Sequence, residues 1–191
     1  ESHPGPAPKL AVSGAHLNNV GKISGPRQPR NAFSAACQGD VAGMSEEEKR
    51  MESGARHGLI VLNRHVPEGW VDYNGHMGDF AYGIAFSDAV TAYMDRIGVD
   101  AAYRERTGAT LYTLDCRIGF LRECHLGDPL EVELVLLAAD DKRLHVFLRL
   151  QGGDGRELAL CEQLLMHVGR ASGSPRAEPF PANIAKIVEQ D

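Results

Sequence analysis

The chain has 191 residues, of which 43% are hydrophobic and 24% charged, which is ordinary for one water-soluble domain with a tail. Its formal net charge of −6 disfavours a nucleic-acid or anionic-membrane partner, and no apolar run reaches the roughly 20 residues of a membrane span. The four cysteines show no C-x-x-C spacing, so we predict no metal site, no cofactor and a reducing, cytoplasmic location.

The first 57 residues differ from the rest of the chain in composition. Stretches such as "ESHPGPAPKL" and "MSEEEKRMESGARHG" are rich in Pro, Gly, Ser and charge and show no sustained apolar period. We therefore predict that residues 1–57 are a disordered or poorly ordered N-terminal extension and that residues 58–191 form the folded domain.

The folded part is predicted to begin with a strand over 58–66, a loop through "PEGWVDYNG" and one long helix. The helix starts at Met77 or Asp79 and runs to residue 97, before Gly98. Its apolar residues recur at steps of three and four, which places them on one side of a helix: Tyr82, Phe86, Val90, Tyr93, Met94 and Ile97. A second short helix is predicted to end at Gly108.

After residue 108 the apolar period becomes two, which indicates strands. The first, over 110–120, is predicted to carry these residues on its apolar face: Tyr112, Leu114, Cys116, Ile118 and Phe120. Three more follow at 129–138, 143–151 and 157–168 after short turns, and a last helix spans 182–189. Short turns make antiparallel neighbours, and only the sheet can cover the apolar helix. The sequence therefore predicts an α+β hot-dog fold, a curved antiparallel sheet wrapped around one long helix.

The loop before the helix combines residue types that suit acyl-transfer chemistry. Asp72 could attack a carbonyl carbon or take a proton from water, while Asn74 and His76 orient it. The N–H of Gly75, His76 or Met77 could polarise the carbonyl oxygen. The alternative is that Asp72 or Asn74 only caps the helix.

The stretch "WVDYNGHMGDFAY" resembles the helix-entrance motif of hot-dog acyl-CoA thioesterases, in which Asp-x-Asn-x-His precedes the central helix and the Asp is catalytic. The segments "GDPLEVELVLLAADDKRLHVF" and "LCEQLLMHV" are similar to the branch of this family that hydrolyses betainyl-CoA in carnitine degradation, also found fused to carnitine dehydrogenase. The resemblance covers about 58–188. Two positions depart from the expected pattern, namely Asp115, which lies in "DCR" where Glu-x-His is expected, and Phe120, where Tyr is expected.

The resemblance implies an acyl-CoA substrate, with betainyl-CoA as the first candidate, and a homodimer or dimer of dimers. A trimethylammonium group is recognised by aromatic faces and negative charge. The substrate-binding candidates are Trp70, Tyr73, Asp79, Tyr82, Tyr112, Asp115 and Phe120, with the loop residues Trp70 and Tyr73 preferred for the cage.

Two of these candidates have a second interpretation. Asp79 could instead complement the helix dipole, and Asp115 could support the site from behind or lie at a subunit contact. For the CoA phosphates the candidates are Arg122, Lys142 and Arg143. The competing functions are a thioesterase for another short-chain or aromatic acyl-CoA, a hot-dog hydratase, and a non-catalytic acyl-CoA-binding protein.

Overall fold

The computed structural model describes residues 58–170 and 173–191, so the prediction for residues 1–57 falls outside the described part. The chain order is β1 (Leu59–His65), a 3₁₀ turn (Glu68–Trp70), α1 (Asp79–Ile97), α2 (Ala101–Thr107), β2 (Thr110–Phe120), β3 (Pro129–Ala139), β4 (Arg143–Gly152), β5 (Glu157–Gly169), β6 (Arg176–Ala177) and α3 (Ala182–Val188). All strand pairs are antiparallel, in the order β1-β3-β4-β5-β2, with β6 added to β5. The predicted hot-dog fold is confirmed.

Helix α1 is the centre of the core. Its predicted stripe is buried along the whole length, and Gly98 ends it in the left-handed conformation at φ 87°. Ala81, Ala85 and Ala89 are 0% exposed beside that stripe, so small side chains let the helix backbone approach the sheet closely.

Strand β2 contains an irregularity that the alternating pattern did not predict. Its register against β5 shifts between Thr113 and Asp115, as at a β-bulge. On one side of the shift odd-numbered residues face α1, and on the other side even-numbered residues do. Thr113 and Cys116 therefore both line the groove under α1, while Tyr112 pairs with Met166 on the other face. The prediction that Tyr112 shares the face of Cys116 is wrong for this reason, and Leu114 lies in the shift itself without a partner on β5.

The two ends of the sheet carry different features. At one end, called the loop end here, β1, β2 and β4 finish, β3 and β5 start, and α1 begins. At the opposite, far end lie the β3–β4 turn, the start of β2 and the residues around His167. The 11 residues of β3 separate the two ends by roughly 35 Å.

Candidate active site

The segment before α1 folds as a small closed hairpin. The N–H of Gly78 donates to Trp70 O at 2.8 Å, and the N–H of Asp72 donates to His76 O at 2.8 Å. At the tip, the N–H of Gly75 donates to Asp72 O at 3.1 Å, and Gly75 has φ +82°. Glycine adopts that conformation without the steric cost of a Cβ, so the sequence Asn74-Gly75 closes the turn.

The carboxylate of Asp72 is held by its own hairpin. Oδ1 accepts from the N–H of Asn74 at 2.8 Å and from that of His76 at 3.4 Å, while Asn74 Nδ2 lies 3.4 Å from Oδ2. The Asn74 N–H bond, above all, holds the pKa of Asp72 below its ordinary value, so the group is ionised at neutral pH. Gly78 is the N-cap of α1, and this excludes the interpretation that Asp72 or Asn74 caps the helix.

The structure does not leave the expected oxyanion donors available. The N–H of Gly75 is bonded to Asp72 O, that of Met77 to Cys124 O at 2.8 Å, and that of His76 faces Asp72 Oδ1. From residue 75 to residue 81, only the N–H of Asp79 has no acceptor among the described residues. Asp79 itself is exposed, and its Oδ1 accepts from the N–H of Phe80 at 2.8 Å, as expected for a first-turn acid.

A second loop, residues 121–128, braces the hairpin. The rings of His76 and His125 meet edge-on with centroids 5.0 Å apart, and His76 Nε2 lies 3.6 Å from Glu123 Oε2. The hydroxyl of Tyr82 donates to Arg122 O at 3.0 Å and touches Cys124 Sγ. Burial raises the pKa of Tyr82, which is 4% exposed. Tyr82 therefore fastens this loop to α1 and does not present its ring to a ligand.

The preferred cage residues do not form a cage. Trp70 is 8% exposed, and the guanidinium of Arg64 lies 4.3 Å from its ring centroid while also pairing with Asp88 at 2.9 Å. One face of the indole is thus already covered by a cation. Tyr73 is 97% exposed at the hairpin tip. Phe120 remains a candidate, since it is 55% exposed at the loop end and meets the ring of Tyr82 at 5.2 Å.

Two further candidates lie elsewhere. The hydroxyl of Tyr112 accepts from Arg170 at 2.8 Å, near the far end of the sheet. Asp115 pairs across the strands with Leu164 and lines a cavity of about 130 Å³ with His145 and Glu162, on the sheet face away from α1. Neither side chain joins the Asp72 hairpin within one protomer, because the shifted register of β2 and the length of the sheet separate them.

The three basic candidates are also dispersed. Arg122 lies at the loop end, where its guanidinium donates to the Glu157 carbonyl. Lys142 and Arg143 lie in the far-end turn, and Arg143 Nε donates to Asp140 at 2.7 Å. Of these three residues, only Arg122 lies on the 121–128 loop that contacts the Asp72 hairpin.

Phe80 is one of the aromatic residues that crowd the helix entrance in the sequence, but it was not among the substrate-binding candidates. It is 52% exposed at the first turn of α1, and its ring folds back over Gly78. The signal was present in the sequence, since glycine precedes the helix where Asp or Ser would be a stronger cap, and a large aromatic follows it outside the apolar stripe.

Within the described ranges, no three His, Cys, Asp or Glu side chains are grouped as metal ligands. In the same part of the chain, none of the helices has the length and apolar content needed to cross a membrane.

Residues 66–188 match the thioesterase-like superfamily, and the chain belongs to that superfamily. Among its relatives is the betainyl-CoA thioesterase of Pseudomonas aeruginosa, which is 44% identical over 125 residues, covering 65% of this chain and 77% of the relative. The L-carnitine dehydrogenase/betainyl-CoA thioesterase of Rhizobium meliloti is 39% identical over 127 residues, which cover 66% of this chain and 25% of that longer protein.

A Staphylococcus aureus protein solved in complex with CoA has a similar structure. It is 31% identical, with a TM-score of 0.66, and the match covers 71% of this chain and 85% of that chain.

Proposed function

We propose that this protein hydrolyses acyl-CoA thioesters, that betainyl-CoA is its substrate, and that the products are betaine and CoA. The observation that carries the proposal is the ionised Asp72 carboxylate, held in a hairpin that leads directly into α1. The relatives named for betainyl-CoA hydrolysis and the CoA-bound structural relative support the substrate class.

The reacting atom is proposed to be Oδ2 of Asp72, since Oδ1 is the more strongly bonded oxygen. As a nucleophile, Oδ2 forms a bond to the thioester carbon, the carbon–sulfur bond breaks, and the CoA thiolate leaves and is protonated. Water then hydrolyses the resulting anhydride. As a general base, Oδ2 instead takes a proton from the attacking water. Asn74 and His76 position the carboxylate in either route, with Gly75 closing the turn.

The oxyanion donor is proposed to be the N–H of Asp79. It is the unbonded donor at the start of α1, where the helix dipole favours negative charge. A single well-placed donor of this kind is worth ~3 kcal/mol of transition-state stabilisation.

The working unit is proposed to be a homodimer formed through the β2 edge, or a dimer of dimers. Strand β2 pairs only with β5 among the described strands, and its exposed Leu114 and Phe120 would gain from being covered. A groove of about 420 Å³ between α1 and β2 opens beside this edge. Light scattering after size exclusion tests the assembly, and a monomer at working concentration would reject it.

The location is proposed to be the cytoplasm. The three described cysteines are free, and the Sγ atoms of Cys116 and Cys161 lie 3.7 Å apart without a disulfide.

A panel assay tests the function. Purified protein is given betainyl-CoA, acetyl-CoA and benzoyl-CoA, with CoA release followed by a thiol reagent. We expect the highest kcat/KM for betainyl-CoA. A preference for benzoyl-CoA would keep the thioesterase and reject the betainyl substrate, whereas no CoA release from any ester would reject both.

A further inference from the structure

The ring of Phe80 occupies the space that a side chain at position 78 would need. A Cβ on Gly78 would stand 2.6 Å from Cε1 and 2.9 Å from Cδ1 of Phe80. Gly78 has φ −63° and ψ 150°, which other residues adopt readily. Glycine at position 78 is therefore required because the Phe80 ring fills the place of a Cβ, and not because of the backbone conformation.

This placement puts an aromatic ring beside the proposed carbonyl donor. The peptide that joins Gly78 to Asp79 carries the unbonded N–H, and the ring packs on the Gly78 end of that peptide. Phe80 is 52% exposed, so part of its ring is accessible to a ligand.

The structure of the betainyl group connects the Asp79 N–H with the Phe80 ring. In a betainyl group the cationic nitrogen is attached to the carbon next to the carbonyl, so it lies ~2.5 Å from the carbonyl carbon by standard bond lengths. A carbonyl oxygen bonded to the Asp79 N–H therefore brings the cation close to the Phe80 ring. A cation is attracted to an aromatic face within about 6 Å of its centroid.

We propose that Phe80 determines the acyl specificity of the site, because its ring, held over Gly78, receives the trimethylammonium group of the substrate. The proposal rests on the proposed function and names the surface that selects the acyl group. The other aromatics at this end are less suited to the role. Arg64 covers one face of Trp70, Tyr82 is buried, and Tyr73 is 97% exposed at the hairpin tip. Phe120 is exposed as well, but its ring packs against Tyr82 and not on the peptide that carries the Asp79 N–H.

The test compares betainyl-CoA with 3,3-dimethylbutyryl-CoA, in which carbon replaces the charged nitrogen at the same shape. The measured quantity is the ratio of the two kcat/KM values, which cancels changes that affect both esters alike. Phe80→Leu is expected to lower the ratio by about 5- to 30-fold, whereas Phe80→Tyr should keep it. Ile60→Ala, on exposed β1, is the matched apolar control and should leave the ratio unchanged.

Gly78→Ala gives a second, independent variant. Its Cβ forces the ring away, so the ratio should fall without any change at position 80. The double variant Gly78→Ala/Phe80→Leu should fall no further than Phe80→Leu alone, because both substitutions remove the same contact.

One outcome overturns the proposal, namely a ratio that Phe80→Leu leaves unchanged. It can arise in three ways: both kcat/KM values stay at the wild-type level, both fall by the same factor, or both fall together with loss of the dimer. The last would assign the ring to a subunit contact. These failures are distinguishable from failure of the proposed function, since a wild-type protein that hydrolyses neither ester rejects the function itself.

Discussion

Replacing Tyr103 by phenylalanine removes one buried hydrogen bond at the far end of the sheet and leaves the ring volume unchanged. Tyr103 is 6% exposed and His167 is 2% exposed, with the hydroxyl 2.9 Å from Nε2. Nδ1 lies 2.9 Å from the carbonyl oxygen of Glu178, which can only accept, so Nδ1 carries the proton and Nε2 accepts from Tyr103. Tyr103→Phe therefore leaves a buried acceptor without a donor.

An unsatisfied buried acceptor costs ~1–3 kcal/mol of the free energy of unfolding. For a chain of 191 residues this lowers Tm by roughly 2 to 12 °C. Thermal unfolding followed by circular dichroism measures it. The control is Tyr112→Phe, whose hydroxyl meets Arg170 at an exposed position and should cost under ~0.5 kcal/mol.

The same variant also separates stability from activity. Because the sheet separates Tyr103 from the Asp72 hairpin, kcat/KM at 25 °C should be unchanged. An unchanged Tm would show that His167 finds another donor, and a large loss of kcat/KM would show that the two ends of the domain are coupled. Either result would refute this reasoning.

Three further predictions concern the hairpin and its brace. Gly75→Ala at φ +82° should cost ~1–2 kcal/mol of local strain and lower kcat/KM, whereas Gly98→Ala at φ +87° should cost similar stability and spare activity; equal activity in both would reject a role for the turn. Because the pKa of Asp72 is lowered from its ordinary value, its active ionised form is lost only in strong acid, so kcat/KM should be flat from about pH 5 to 8; a kcat/KM that falls as pH is lowered from 7 to 5 would contradict this assignment. Tyr82→Phe should lower kcat/KM several-fold and Tm slightly by releasing the 121–128 loop, and an unaltered kcat/KM would show that this loop holds without it.

The regular elements could be predicted from the sequence because their physics is local. The stripe from Tyr82 to Ile97 fixed a helix whose observed end at Gly98 was expected, and the turn residues separated the four long strands. The irregular register of β2 could not be predicted in this way. Apolar and polar residues still alternate along the sequence of β2, but the bulge reverses which face of the sheet they point to. Tyr112 was therefore assigned to the wrong face.

The residues of the candidate site could be named from their types at one helix entrance, and their role stays a prediction. Their contacts could not be predicted in this way. Which N–H groups are already bonded depends on the 121–128 loop, which is distant in sequence, as the bond from Met77 to Cys124 illustrates. The covering of Trp70 by Arg64 is likewise a tertiary contact. The packing of the Phe80 ring on Gly78 is another contact that residue types alone do not indicate.

The most direct test of the account is kcat/KM of Asp72→Asn for betainyl-CoA. The amide keeps the shape of the carboxylate and an oxygen for the Asn74 N–H, so the hairpin should persist and Tm should change little. Asp141→Asn, an exposed carboxylate at the far end, is the matched control. Asp72→Asn is expected to lose at least about 100-fold in kcat/KM, whereas the control should retain wild-type activity. If Asp72→Asn hydrolyses the ester as fast as the wild type, Asp72 is not the reacting group and the proposed mechanism is wrong.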